Sequence, residues 1–224
     1  SASDLQLGRG ESVADTGRVL SRYLDGVMIR ALQHETVTEL AENADIPVIN
    51  GLTNLSHPCQ IMADLQTIIE CHGSLKGAKV CWLGDGNNVA NSWIEAAALF
   101  GFELRLAGPE AYRPPAALLA WARARGAEII LTEDPVAAAH DASVIATDVW
   151  VSMGDDAGSR ERDLLPFQVT TALMDKAQPD AIFMHCLPAV RGQEVTAEVI
   201  DGPQSVVFDE AENRLHAQKA IMAH

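Results

Sequence analysis

KVCWLGDGNNVANSW, residues 79–93, is the stretch on which the fold turns. KVCWL is a short apolar run without polar alternation, as expected of a strand covered on both faces. GDG then makes a turn and NNVANSW opens a helix, which is one step of a βα rhythm. The rhythm continues through ELRLAG (103–108), a helix near 115–125, EIILT (128–132), a short helix near 135–140 and SVIATDVW (143–150). It resumes with AIFMHCLP (181–188), a helix near 195–200, a strand SVVFDE (205–210) and a final helix from about Glu210. Strands alternating with helices in this way predict a doubly wound parallel sheet.

Residues 1–70 repeat the pattern in shorter form: a helix near 12–23, a strand DGVMIR (25–30), a helix near 34–43, a strand PVING (47–51) and a long helix from Pro58. Pro58 suits a first helical turn, where its missing N–H costs nothing. The opening SASDLQLGRGE has no βα unit before it. The expected fold is therefore α/β, with two doubly wound parallel-sheet domains, the first incomplete at its N-terminus. Residues 1–70 are expected to close the first domain and 71–209 to form the second. The helix 210–224 is expected to pack back on the first.

The 224 residues carry 16 Lys+Arg against 31 Asp+Glu, a formal net charge of −15. Such a field opposes a phosphate backbone, so nucleic acid is not an expected partner. Apolar runs such as AIFM fall far short of the roughly 18 residues needed to cross a bilayer, so no membrane association is expected. The four cysteines, at 59, 71, 81 and 186, show no C-x-x-C spacing. Reduced thiols and a cytoplasmic location follow as expectations.

Several positions carry candidate chemistry, each with a plainer alternative. The third glycine of a dinucleotide fingerprint would fall at Val89, so Gly84-Asp85-Gly86 fails that motif. The turn instead presents Asn87 and Asn88 at a helix start, where an amide and backbone N–H groups hold a carboxylate or where Asn88 merely caps the helix. In TNLSHPCQ (53–60), His57 at the N-cap and Gln60 one turn later suit an anion or polarised carbonyl; otherwise they are a cap and a solvated amide. Arg30 and Asp148 end strands, at the edge where such sheets bind ligands. Arg214 lies in what reads as the acidic first turn of the last helix, where helix electrostatics give it no reason to be, so a bound anion is one explanation. Cys186 lacks the companions of a zinc site, and His185, next to it on a strand, is expected to face the other way. GDDAGSRERDLLP (154–166) reads as a surface loop or a mobile lid.

DTGRVLSRY (15–23), HPCQ (57–60), GDGNN (84–88), TDVWVSMG (147–154), HCLP (185–188) and DEAENR (209–214), in this order, resemble the ornithine carbamoyltransferases over essentially the whole chain. The resemblance implies a two-domain α/β homotrimer in arginine metabolism, with no metal and no organic cofactor. It implies transfer of the carbamoyl group of carbamoyl phosphate to the side-chain amine of L-ornithine. Carried over by motif, Arg30, His57, Gln60 and Arg214 hold carbamoyl phosphate, and Gln6 lies where relatives reach a neighbouring subunit's ligand. Asn88, Asp148, Ser152 and the Met153 backbone hold the amino-acid end of ornithine. Cys186 and the Leu187 carbonyl meet its reacting amine, so Arg30, His57 and Cys186 form the implied catalytic set. The family's Ser-Thr-Arg-Thr phosphate motif is not among these residues and belongs upstream of Ser1. A chain of only these residues is thus expected to bind carbamoyl phosphate poorly. The rival expectations are a putrescine carbamoyltransferase and an inactive binding or oligomerising fragment.

Overall fold

The structure, a computed structural model, describes residues 10–151 and 157–224. Gln6, Ser152 and Met153 lie outside the described residues. The elements in chain order are α1 (Val13–Leu20), β1 (Val27–Arg30), α2 (His34–Asn43), β2 (Val48–Leu52), α3 (Pro58–His72), β3 (Lys79–Leu83), α4 (Asn88–Phe100), β4 (Glu103–Ala107) and α5 (Ala116–Arg123). They continue with β5 (Ile129–Thr132), α6 (Pro135–Ala139), β6 (Val144–Thr147), α7 (Ala157–Leu164), α8 (Thr171–Met174), β7 (Ile182–His185), α9 (Ala197–Ile200) and α10 (Val207–Ala223). The chain divides into two compact units, Ser1–Cys59 and Gln60–His224. No helix among the described residues is long and apolar enough to cross a membrane.

The larger unit is built on a five-stranded parallel sheet in the order β5-β4-β3-β6-β7. β3 explains why its sequence does not alternate. Val80 and Trp82 enter a core layer with Ile94 of α4 and Leu119 of α5. Cys81 and Leu83 enter the opposite layer with Ala138 of α6 and Val199 of α9. Both faces are covered, so every position favours an apolar side chain. The chain leaves β3 toward β4 and later returns to β6 on the other side. That reversal is the topological switch point, where a crevice opens at the strand C-termini.

The smaller unit carries a parallel pair, β1 and β2, whose register shifts between Ile29 and Arg30. An irregularity of this kind re-aims a side chain at a strand end. Ser12 caps α1 by accepting from Asp15 N, and Arg18 of α1 reaches Asn43 of α2 at 3.0 Å.

Two expectations are corrected. SVVFDE is not a strand: only Ser205 bridges Phe183, after which Val206 (φ −117, ψ 20) turns the chain into α10 at Val207. Asp209 and Glu210 in the first turn favour that helix start. The 154–166 segment is not simply a loop, because 157–164 is helical. Arg160 pairs with Asp85 and lies 4.9 Å from the Tyr112 ring centroid, while Leu164 is fully buried.

Candidate functional site

The crevice at the switch point is lined from β3, β6 and β7. Gly84 adopts φ +116, and a Cβ on Gly86 would lie 2.5 Å from Tyr112 O. The two glycines of GDG thus serve a left-handed turn and a close backbone approach, not a phosphate loop. The turn delivers Asn87, and here the sequence reading is corrected: Asn87, not Asn88, is the cap of α4. Its side-chain oxygen accepts from Val89 N at 2.9 Å and Ala90 N at 3.0 Å. Its Nδ2 donates to Asp148 Oδ2 at 2.8 Å, which ties the end of β3 to the end of β6. Asn88, the next residue, is half-buried at the first helical position.

Asp148 gathers three donors. Besides Asn87, its Oδ1 accepts from Val149 N at 2.8 Å and from Cys186 Sγ at 3.2 Å. Cys186 follows β7, so one carboxylate links the ends of three strands. Burial, the Asp148 charge beside it and the more distant Glu210 push the Cys186 thiol well above its ordinary range. It is a protonated donor, not a thiolate nucleophile.

His185 precedes it, fully buried. Its Nδ1 accepts from Leu187 N at 2.9 Å, so Nε2 carries the hydrogen and meets Glu194 Oε1 at 3.2 Å. Glu194 also accepts from Val190 N. This clamp holds Leu187 at φ +56, a backbone conformation uncommon for a residue with a Cβ and a frequent mark of functional sites. The expectation that His185 simply faces away from Cys186 is too simple. Donor atoms of Asp148, His185 and Cys186 lie within 4.8 Å of one another. His185 Nδ1 already accepts the Leu187 N–H and its Nε2 faces Glu194, so its ring nitrogens are engaged within the chain.

Gln60 is fully buried, which removes the solvated alternative. Its Nε2 donates to Asp64 Oδ1 at 2.8 Å and Glu210 Oε1 at 3.0 Å, and Arg214 Nη1 donates to its Oε1. Arginine can only donate, so the amide oxygen has to face Arg214. Gln218, with its oxygen toward the guanidinium, accepts from Arg214 Nε at 3.2 Å and Nη2 at 2.7 Å. Because α10 starts at Val207, Arg214 lies two turns inside the helix. The helix-end argument for it is corrected: Gln60 and Gln218 hold it in place.

In the smaller unit, the exposed Arg30 ends β1 and the buried His57 precedes α3. The Thr53 hydroxyl accepts from Leu55 N at 3.3 Å and Ser56 N at 3.2 Å, folding TNLS into the turn that delivers His57. Among the sequence-derived candidates, the larger unit brings Asn88, Asp148, Cys186 and Leu187 to neighbouring strand ends, and Gln60 to Arg214. Asp64, Glu210 and Glu194 are additions, and Asn87 gains its role as the partner of Asp148. Asp64 was open to detection, because it lies four residues after Gln60 on one helix face.

The profile of the aspartate/ornithine carbamoyltransferase Asp/Orn binding domain matches residues 76–224, and that of the carbamoyl-P binding domain matches residues 1–70. The chain belongs to the aspartate/ornithine carbamoyltransferase family. It is 59% identical over 222 residues to an ornithine carbamoyltransferase of Bradyrhizobium diazoefficiens, covering 99% of this chain and 72% of that one. It is 58% identical to one from Brucella abortus, covering 99% and 71%. Among solved structures, ornithine carbamoyltransferase from Pyrococcus furiosus matches with a TM-score of 0.94 at 53% identity, over 99% of this chain and 73% of that one. An anabolic ornithine carbamoyltransferase from Campylobacter jejuni matches with a TM-score of 0.95 at 42% identity, over 100% and 76%. The α/β architecture with parallel sheets is thus that of this carbamoyltransferase family.

Proposed function

We propose that the protein transfers the carbamoyl group of carbamoyl phosphate to the side-chain amine of L-ornithine, giving L-citrulline and phosphate. The observation that carries this reading is the Asn87–Asp148–Cys186 junction at the switch point of a chain whose relatives are ornithine carbamoyltransferases. Asp148 offers a carboxylate to the amino-acid end of ornithine. Asn88, Ser152 and the Met153 backbone complete that subsite. The Leu187 carbonyl and the Cys186 thiol meet the reacting amine.

The amine attacks as the neutral base. Its nitrogen bonds to the carbamoyl carbon, the carbon–oxygen bond to phosphate breaks, and the proton shed by nitrogen leaves with phosphate. Cys186, holding its own proton, orients the amine rather than forming a bond to carbon. Gln60 has committed both N–H groups, so toward a carbamoyl group it offers only its oxygen, an acceptor for the carbamoyl NH2. Arg214, Arg30 and His57 supply positive or donor groups to the developing oxyanion and the phosphate. No organic cofactor or metal is needed for this displacement. The domain reading of 1–70 for carbamoyl phosphate and 71–209 for ornithine, with 210–224 returning to the first domain, belongs to the proposal. So do the homotrimer, the cytoplasm and a role in arginine metabolism.

The test is citrulline formation by the full-length protein and two variants. Asp148→Ala is expected to raise the ornithine KM or abolish turnover, while Arg214→Ala raises the carbamoyl phosphate KM. An absence of citrulline from the wild-type protein, or wild-type constants in both variants, overturns the reading.

A further inference from the structure

Two carboxyl groups, Asp64 of α3 and Glu210 of α10, are buried side by side, each with only 2% of its surface exposed. Gln60 Nε2 lies within hydrogen-bond distance of both, 2.8 Å from Asp64 Oδ1 and 3.0 Å from Glu210 Oε1, so the two acids are immediate neighbours. Burying acidic groups is costly unless they are neutralised or paired, and an amide or apolar pair would fill the same space more cheaply. Their remaining acceptor positions are not spent on structure alone. Both accept from Gln60 Nε2, which fixes the amide with its oxygen toward Arg214. Glu210 Oε2 also accepts from His185 N at 2.8 Å, directly before Cys186. The same two carboxyls, with Trp93, Thr147, His185 and Cys186, border a small pocket at the strand ends.

We propose that Asp64 and Glu210 share a proton and act as positioning residues that orient Gln60, and through it Arg214, toward carbamoyl phosphate while anchoring the Cys186 turn at the other substrate. This rests on the reading of Gln60 and Arg214 as carbamoyl phosphate groups. The arrangement needs the proton. With it, one of the two acids is neutral, and both N–H groups of Gln60 find acceptors. Without it, two anions repel each other across Gln60 in a dry site, and a further negative charge stands near the phosphate. Desolvation pushes both acids up, Asp64 to about 7 and Glu210 well above its ordinary range. The charged or titratable groups facing the pair are Arg214 on α10, Asp148 after β6, and Cys186 after β7, with the His185 N–H as the backbone donor.

Steady-state kinetics on the full-length protein, from pH 6 to 9.5, test the device. In the wild type the carbamoyl phosphate KM is expected to climb with pH as the pair gives up its proton. Glu210→Gln, which imitates the protonated acid, is expected to stay within about fivefold of the wild-type KM at pH 7 and to flatten that climb. Glu210→Ala is expected to raise the carbamoyl phosphate KM more than about tenfold, and the thermal melt of each variant shows whether it is folded. The proposal is overturned if Glu210→Gln keeps the wild-type pH profile, or if a folded Glu210→Ala keeps the wild-type KM. Gln60→Ala and Arg214→Ala serve as reference variants. Should neither change the carbamoyl phosphate KM, the reading of the site itself has failed; should both change it while Glu210 variants do not, only the positioning role has.

Discussion

At the residue scale, Asp148 is the centre of the candidate site. It accepts from an amide, a backbone N–H and a thiol. An asparagine there presents a donor to at least one of these donors, and an unmatched buried polar group costs about 1–3 kcal/mol. Asp148→Asn is therefore expected to lower the thermal midpoint by several degrees and the kcat/KM for ornithine by about a hundredfold or more. Retention of both in the variant contradicts the assignment. Cys186→Ser keeps a donor to Asp148, so the variant is expected to fold while its turnover drops. Because its thiol is held protonated by burial and by Asp148, Cys186 is also expected to escape alkylation at pH 8, whereas the exposed Cys71 is modified first. Peptide mass analysis after brief treatment decides this. Asp148 and Cys186 were visible in the sequence as strand-end residues. Their mutual contact was not, since 38 positions and the order of β6 and β7 separate them.

At the element scale, the strands of the larger sheet were legible because burial on both faces leaves unalternated apolar runs. Two elements were not. SVVF has strand composition, yet only Ser205 finds a strand partner, and Val207 packs into the core as the first residue of α10. The α7 sequence AGSRERDL is polar, and its anchors to Asp85 and Tyr112 lie far away in the chain. Arg160→Ala is expected to release α7 from the GDG turn and raise the ornithine KM several-fold with the carbamoyl phosphate KM unchanged; equal effects on both constants count against it. Asn87→Ala removes a helix cap, about 1 kcal/mol, together with a partner of Asp148, so it should cost both stability and ornithine affinity. The α3–α10 joint gives a pH prediction. An acid whose folded pKa is raised binds more protons in the folded state, so its contribution to stability is greatest at low pH. That contribution is lost as pH rises from the unfolded value near 3.8 to the folded value of about 7 for Asp64. Denaturant unfolding at pH 5 and pH 8 should show a smaller fall for Glu210→Gln than for wild type. An identical fall contradicts a shared buried proton.

At the scale of the whole molecule, an acidic chain of net charge −15 is proposed to bind an anionic substrate. Local groups have to overcome that field, and those proposed to do so are Arg30 at the end of β1, His57 before α3 and Arg214 within α10. The sequence pattern was enough for the α/β class and for the family, because HCLP, HPCQ and GDGNN are short, local motifs. It could not reveal that Gln60 and Glu210, 150 positions apart, form one buried network, because such networks are set by tertiary packing. The central claim is specificity for an amino acid carrying the reactive amine. The most direct measurement is the kcat/KM of the full-length protein for ornithine and for putrescine at saturating carbamoyl phosphate. A site that satisfies the α-carboxylate and α-amine leaves polar groups unpaired when these are missing, so ornithine is predicted to be favoured by about a hundredfold or more. Equal values, or a preference for putrescine, contradict the account.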